Sequence, residues 1–340
     1  MRFLLVLLIG PTPTHAALSA QLRLSHALRD ACASAFGSEV WPEPEEVAAI
    51  ACSVIAIAPL DSEGTNEMLA PLPQGEYRFA AETPFDERVH IVEPLAYDGD
   101  SRAAQTLGLL LFSGVGGCSA DARMSARWHA AAASLGNIDG LATLGGCIRR
   151  GVGAEQDADS GRALIEAAAA AASPMGLCKL GVLHDEGEAG LAQDSWEAVR
   201  CFEAAAAQGS ALGRFHFGWA LVHGIGTPRD VPRGLEQWVS AMRSAPEDGA
   251  EEAAYYLYEE RALIEDPGAY DAIRPTACLR LSVALEFDLA VQRLARAEER
   301  RRTKDVLNEY SKPRKKERFI RNDKARQFTA KELRAMAEEG

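Results

Sequence analysis

Residues 104–137 read "AQTLGLLLFSGVGGCSADARMSARWHAAAASLGN", and they decide the fold because their pattern of glycines returns three times further along the chain. One glycine recurs at steps of 37, 36 and 37 residues. A second glycine follows it six residues later in every segment, and in three segments another stands two residues beyond that. The recurring glycine is Gly108, Gly145, Gly181 and Gly218, and those that follow are Gly114, Gly116, Gly151, Gly153, Gly187, Gly224 and Gly226.

This repetition excludes a phosphate-binding loop as the explanation of the Gly-x-Gly at residues 114–116. Such a loop occurs once, follows a strand, and needs either Gly-x-Gly-x-x-Gly or a terminal Gly-Lys-Ser/Thr. Position 119 is Ser, and no Gly-Lys pair occurs in the chain. We therefore interpret these glycines as turn residues whose positive φ ends a helix.

Each segment predicts two helices. The first is apolar and carries the recurring glycine, and the second begins at an aspartate whose side chain caps its free N–H groups. The second helix also carries one large residue and a run of alanines. The predicted caps are Asp121, Asp159, Asp194 and Asp230, and the large residues are Trp128, Ile165, Phe202 and Trp238. One such pair cannot bury its apolar face alone, so we expect an all-α fold, a right-handed α-solenoid of antiparallel helix pairs.

The order of Leu-Gly, a Gly-x-Gly turn, Asp, an aromatic residue and Ala-Ala-x-x-Gly resembles the Sel1-like repeat family, a relative of the tetratricopeptide repeats. The resemblance covers residues 101–246 as four repeats, although Phe217 replaces the leucine of one Leu-Gly pair and Ile165 lacks a ring. It implies a non-enzymatic scaffold or adaptor that holds a protein or peptide partner, including complexes of protein quality control at the endoplasmic reticulum. The groove residues it suggests lie on first helices: Arg149, Arg150, Lys179, Arg214 and His216.

The flanks divide into four segments. Residues 1–16 resemble an export signal, with Arg2, seven apolar residues at 3–9, and Thr14-His15-Ala16 before a cut. This predicts the secretory pathway; a buried N-terminal helix is the alternative, and the apolar run is too short to span a membrane. Residues 17–100 predict a helical cap or degenerate repeat, with a helix over 41–59, and residues 247–311 predict a C-terminal helical cap.

Charge is divided unevenly between the body of the chain and its tail. The net charge is -13, yet residues 291–340 hold 16 Lys/Arg against 9 Asp/Glu. An acidic body argues against a nucleic-acid binder. Residues 312–340 form a basic tail with a short predicted terminal helix, and the cluster "KPRKKERFIR" within it supports a second hypothesis, a cytosolic or nuclear adaptor whose tail binds an anionic partner.

Signatures of catalysis and of cofactor binding are not found in the sequence. It contains no Ser-x-x-Lys, Gly-x-Ser-x-Gly, His-Glu-x-x-His or Cys-x-x-Cys. We expect no enzyme activity, no cofactor and no metal, and we interpret His129, His216 and His223 as packing or capping residues. The family resemblance leaves a third hypothesis, a cysteine-rich repeat hydrolase of the β-lactamase-like class, which needs disulfide-linked helix pairs; Cys147 and Cys178 lie on adjacent first helices.

Overall fold

The computed structural model describes residues 15–37, 42–57, 76–77, 83, 85–114, 120–243 and 250–259, and among these it contains twelve α-helices and no strand. The helices are α1 His15–Phe36, α2 Pro44–Ile57, α3 Phe85–Tyr97, α4 Ser101–Ser113, α5 Ala122–Ser134, α6 Ile138–Arg150, α7 Ala158–Ala170, α8 Pro174–Glu186, α9 Ser195–Ala207, α10 Ala211–His223, α11 Val231–Arg243 and α12 Ala250–Glu259. All of them lie within the compact unit Met1–Leu294. None of these twelve helices combines the length and hydropathy that a membrane span needs.

Consecutive helices pack as pairs, which confirms the predicted fold class. The pairs are α4 with α5, α6 with α7, α8 with α9, and α10 with α11, and each pair also packs on the next. The predicted helix over residues 41–59 is α2, and α12 lies in the predicted C-terminal cap. Residues 1–14, residues 260–311 and the basic tail lie outside the described residues.

The two helices of a pair touch at the recurring glycine. A Cβ atom added to Gly145 would lie 2.7 Å from the carbonyl oxygen of Gly161, and one added to Gly218 would lie 2.6 Å from the ring of Trp238. Real side chains do not approach so closely, so only glycine allows this separation of the helices. The glycine is therefore a contact residue of the fold, while Gly114, Gly151, Gly187 and Gly224 end the first helices at φ of 66–71°.

A backbone hydrogen bond fixes where each second helix begins. The N–H of the capping aspartate donates to a carbonyl in the last turn of the first helix, as from Asp157 to Ile148 at 3.0 Å and from Asp194 to His184 at 2.7 Å. The same bond occurs at Asp121 and Asp230, although the number of residues in the turn varies. The number of residues in the turn can vary because this hydrogen bond fixes the position of the capping aspartate, at the end of the turn, against the first helix.

The second repeat corrects one predicted cap. Asp157 accepts hydrogen bonds from the N–H groups of Asp159 and Ser160, at 3.1 and 3.0 Å, whereas Asp159 lies inside the first turn of α7. The prediction of Asp159 was wrong because both aspartates fit the sequence pattern, and the bond to Ile148 selects the earlier one. Asp121, Asp194 and Asp230 each accept a backbone N–H from the first turn of their helix.

The first repeat differs from the others in which residue of its second helix faces the recurring glycine. The side chain that faces Gly108 is His129, whose ring lies 2.6 Å from the position of an added Cβ, and not Trp128. Counted from the caps, the facing residue is eighth in every second helix: His129, Ile165, Phe202 and Trp238. Trp128 stands one place earlier and packs edge-on against Tyr97 of α3, with ring centroids 5.2 Å apart.

Alanines lie near the end of α5, α7 and α9 because the next first helix approaches them with another glycine. A Cβ on Gly176 would lie 2.7 Å from the backbone at Ala168 and Ala169, and one on Gly213 would lie 2.7 Å from Ala205. Gly140 meets Ala132 in the same way, at 2.9 Å. Two lines of small residues therefore run through the stack, one within pairs and one between them.

Of the three N-terminal helices, only α3 packs at the start of the stack, and α1 and α2 pack along its side. Helix α3 packs against α4, whereas α1 and α2 pack across α5, α6 and α7. Leu24 and Leu28 of α1 and Val47 of α2 share one core with Leu141 and Leu144 of α6. At its edge, Glu43 pairs with Arg127 of α5, and Glu45 accepts the N–H of Glu155 at 2.7 Å. Helix α6 is thus covered on the side that faces α1 and α2.

Two adjacent glycines of α6 give a matched test of the contact. We expect Gly145→Ala to lower the free energy of unfolding by about 1–3 kcal/mol, because the added methyl overlaps the backbone of α7. Gly146→Ala should leave stability unchanged or raise it by about 0.5–1 kcal/mol, because its methyl meets only the flexible end of Lys179 at 3.4 Å and alanine favours a helix. Urea unfolding of both variants measures this, and equal effects would contradict the proposed contact.

Candidate functional site

The first helices place four positions on one face. These positions stand 2, 6, 9 and 13 residues after the helix cap and lie on one side of a helix that turns 100° per residue. We call this surface the first-helix face. Its described members are Arg102, Thr106 and Leu109 of α4; Asp139, Thr143, Gly146 and Arg150 of α6; Met175, Lys179, Val182 and Glu186 of α8; and Leu212, His216, Trp219 and His223 of α10.

Three of the five groove residues suggested by sequence belong to this face: Arg150, Lys179 and His216. Arg149 borders it. Arg214 does not belong, because it stands two residues from His216 and so about 200° around α10. The residue in its place in α6 is Leu141, which α1 and α2 bury completely. The family resemblance suggests Arg214, but the helix register places it on the side of α10 opposite His216.

His216 is a packing residue. Its ring stacks on Phe202 with centroids 4.7 Å apart and an interplanar angle of 17°, and it also contacts Phe215. Burial lowers the pKa of His216 to about 4, although Asp185 acts in the opposite direction. The imidazole is therefore neutral at pH 7 and forms part of the packing interface between α9 and α10.

A buried polar network lies beneath the face in the first two repeats. His129 is 1% exposed, and its Nδ1 lies 2.8 Å from Oε1 of Gln105, so that nitrogen carries the proton. Gln105 donates to Thr143 at 3.0 Å, and Thr143 donates to the carbonyl of Asp139 at 3.0 Å. Burial, and then the charge of Lys179, lower the pKa of His129 to about 3. The network therefore joins α4, α5 and α6 through neutral groups.

A surface pocket of about 570 Å³ opens between the second and third repeats. It is lined by Arg149, Arg150, Gln156, Ala158, Val182, Glu186, Glu188 and Ala189. Arg149 pairs with Glu188, and Nε of Arg150 donates to the carbonyl of Gly146 at 3.3 Å. Exposed groups of both signs therefore meet at this pocket.

The cysteines in the described part of the chain are all free thiols: Cys32, Cys52, Cys147, Cys178 and Cys201. Cys147 and Cys178 do not form the disulfide that the hydrolase hypothesis needs. Burial raises the pKa of Cys32 and Cys201 to about 11 and raises that of Cys147, so these thiols are protonated at neutral pH and are weak nucleophiles. Within the described ranges no three His, Cys, Asp or Glu residues are grouped to hold a metal ion.

One contact on the first-helix face involves a residue that the sequence did not single out. The backbone N–H of Tyr77, which lies between α2 and α3, donates to Oγ1 of Thr106 at 2.6 Å. The guanidinium of Arg102 stands 5.9 Å from the centroid of the tyrosine ring. The available signal in the sequence was the recurrence of threonine at the same register position, 106 and 143.

The described repeats match a family model of the Sel1 repeat at residues 101–137, 139–173 and 174–210. Among solved structures, the chain is similar to c5321, a protective antigen of uropathogenic Escherichia coli with an SLR fold, at 21% identity and a TM-score of 0.39. That match covers 63% of this chain and 45% of the other, so the chain spans less than half of c5321. A Sel1 repeat protein of Oxalobacter formigenes is 19% identical, with a TM-score of 0.43, over 58% of this chain and 78% of that one. Curated proteins gave no match.

The neutral state of His216 predicts how stability depends on pH. An unfolded histidine titrates near pH 6.5, so the stability that His216 contributes is complete above about pH 6.5 and is lost as pH falls toward about 4. When the pH falls from 7.5 to 5, this residue should lower the free energy of unfolding of the wild type by up to about 2 kcal/mol. His216→Phe keeps a ring against Phe202 and should not show that part of the loss.

Urea unfolding of both proteins at the two pH values measures the difference. His129, whose pKa burial also lowers, is present in both proteins. Its contribution to the pH dependence is therefore common to both and drops out of the difference between them. If the variant loses as much stability as the wild type, His216 is charged in the folded chain and the prediction fails.

Proposed function

Because residues 101–210 are three Sel1 repeats, a helical repeat architecture suited to protein interaction, we propose that this chain is a non-enzymatic scaffold that binds a partner protein on its first-helix face. Helices α10 and α11 extend the surface by a fourth pair with the same glycine and cap positions. Stacked repeats hold their surface rigidly, so a partner can bind without ordering it first.

The pocket between the second and third repeats carries this proposal. Arg150 and Glu186 occupy the same register position on neighbouring first helices, and both side chains are exposed at the pocket. Charges of opposite sign at fixed spacing select a partner with the complementary pattern and fix its register. His129 beneath the face and His216 on it are neutral packing groups, which suits a binding surface better than a site of proton transfer.

A photo-crosslinking residue placed at defined positions tests which face meets the partner. In cells that naturally express the chain, we expect crosslinked products from positions 150 and 186 and none from position 196. Position 196 is the matched control because Trp196 of α9 is 66% exposed yet lies on a second helix. Crosslinking confined to position 196 would overturn the choice of face.

A charge exchange sharpens this experiment. The double variant Arg150→Glu with Glu186→Arg keeps the net charge but reverses the local pattern, so we expect it to reduce partner recovery at least tenfold at moderate salt. Each single replacement leaves like charges at the pocket and should give a similar loss. Unchanged recovery from the double variant would show that these charges do not select the partner.

We also propose that the chain works in the secretory pathway, and here only the sequence of residues 1–16 gives support. A cut after Ala16 is compatible with α1, because the buried face of that helix begins at Ala20 and continues through Leu24 and Leu28. Among the residues of α1 whose burial the structure describes, 18–36, the first buried side chain is that of Ala20.

The intact mass of the protein recovered from a eukaryotic secretory host tests the location. We expect the chain to lack its first 16 residues, and Ala16→Arg to remain uncut because the site needs a small residue there. An uncut wild-type chain would instead favour the cytosolic or nuclear adaptor. The next test would then be nuclear import of a reporter carrying residues 312–321.

A further inference from the structure

The first-helix face of the first repeat already holds a non-helical stretch of the chain itself. Residues 76–77 lie against α4, where the N–H of Tyr77 bonds to Thr106 and its ring lies near the guanidinium of Arg102. The tyrosine side chain also packs against the core formed by α3, α4 and α5. The backbone and the ring of Tyr77 thus contact the face, and its side chain also contacts the neighbouring core.

Thr106 is fixed as a hydrogen-bond acceptor. Its hydroxyl proton is donated to the carbonyl of Arg102 at 2.8 Å, so the oxygen can meet a further group only through a lone pair. A threonine in this state accepts a backbone N–H and does not pair with a carbonyl. The side chain is therefore suited to an extended segment, whose N–H groups are not used within a helix.

The next repeat repeats this arrangement. Thr143 stands at the same register position in α6, donates its proton to the carbonyl of Asp139 at 3.0 Å, and accepts from the side chain of Gln105. In the second repeat the acceptor is therefore used inside the fold. In the first repeat the acceptor meets a backbone N–H from outside the repeat, which is how it would meet a bound peptide.

We propose that α4 carries a binding site for an extended, tyrosine-containing peptide segment, and that residues 76–77 occupy this site as an intramolecular competitor. The inference rests on the proposed function, since it places one contact of the partner on the same face. A partner segment enters by replacing Tyr77 and uses Thr106 for its backbone and Arg102 for its ring. The contacts of Tyr77 include a neutral hydrogen bond, a cation–π contact and apolar packing. A partner segment that carries a tyrosine reproduces these contacts and so can displace the competitor.

A peptide taken from the chain tests the site without knowledge of the partner. The probe is the fluorescein-labelled peptide of residues 73–79, "PQGEYRF", and its fluorescence anisotropy is followed on titration with the full-length protein. We expect Tyr77→Ala to bind it at least tenfold more tightly than the wild type, because a tethered competitor acts at an effective concentration near millimolar. The same peptide with alanine for tyrosine should bind at least tenfold more weakly.

Two further variants separate the site from general effects. Adding Thr106→Val to Tyr77→Ala removes the acceptor at nearly constant volume and should weaken peptide binding about tenfold. Adding Thr143→Val instead should leave binding unchanged, because Thr143 uses its acceptor inside the fold. Thermal unfolding by circular dichroism confirms that each variant is folded before its affinity is compared.

Equal affinity of the peptide for the wild type and Tyr77→Ala would overturn the competitor, and equal affinity of Tyr77→Ala with and without Thr106→Val would overturn the site. Either failure is distinct from failure of the scaffold proposal. The crosslinks at positions 150 and 186 report on another part of the face and do not depend on Tyr77.

Discussion

The contact of two helix backbones at the recurring glycine is the constraint on which the rest of the structure depends. Where Gly145 meets Gly161, the helices lie so close that no side chain fits between them. This approach brings the carbonyl of Ile148 within reach of the N–H of Asp157, and so sets the start of the second helix. It also lets the eighth residue of that helix lie over the glycine. One small residue thereby fixes both the spacing and the register of each pair.

The fold followed from the sequence because glycine periodicity records this constraint directly, whereas the details at each cap do not. Asp157 and Asp159 both fit the pattern, and the choice between them depends on a hydrogen bond to another helix. Trp128 was the more conspicuous residue beside His129, but the register counted from Asp121 places the histidine over Gly108. Propensity and pattern specify the elements, and tertiary contacts specify the exact residue.

The proposed binding face was harder to predict, because the side of a helix on which a charged residue lies is known only once its neighbours are known. Arg214 and His216 are two residues apart and lie on opposite sides of α10. The repeat pattern also does not predict that α1 and α2 pack over α5, α6 and α7, because this packing depends on surfaces far apart in sequence. Tyr77 carries no recognisable motif, and only the position of Thr106 beside it points to the proposed peptide site.

The two sides of the repeats therefore differ in what they can offer a partner. The side covered by α1 and α2 uses apolar and small residues such as Leu141 and Ala133, and in the second repeat that surface is already buried. The first-helix face instead combines the acceptor of Thr106, which meets Tyr77, with exposed charges, and it lies over the neutral network of His129, Gln105 and Thr143. Because His129 and His216 are neutral near pH 7, binding of the proposed partner there would depend on shape, backbone hydrogen bonds and the spacing of Arg150 and Glu186. Those are the properties by which an extended segment of another protein is recognised.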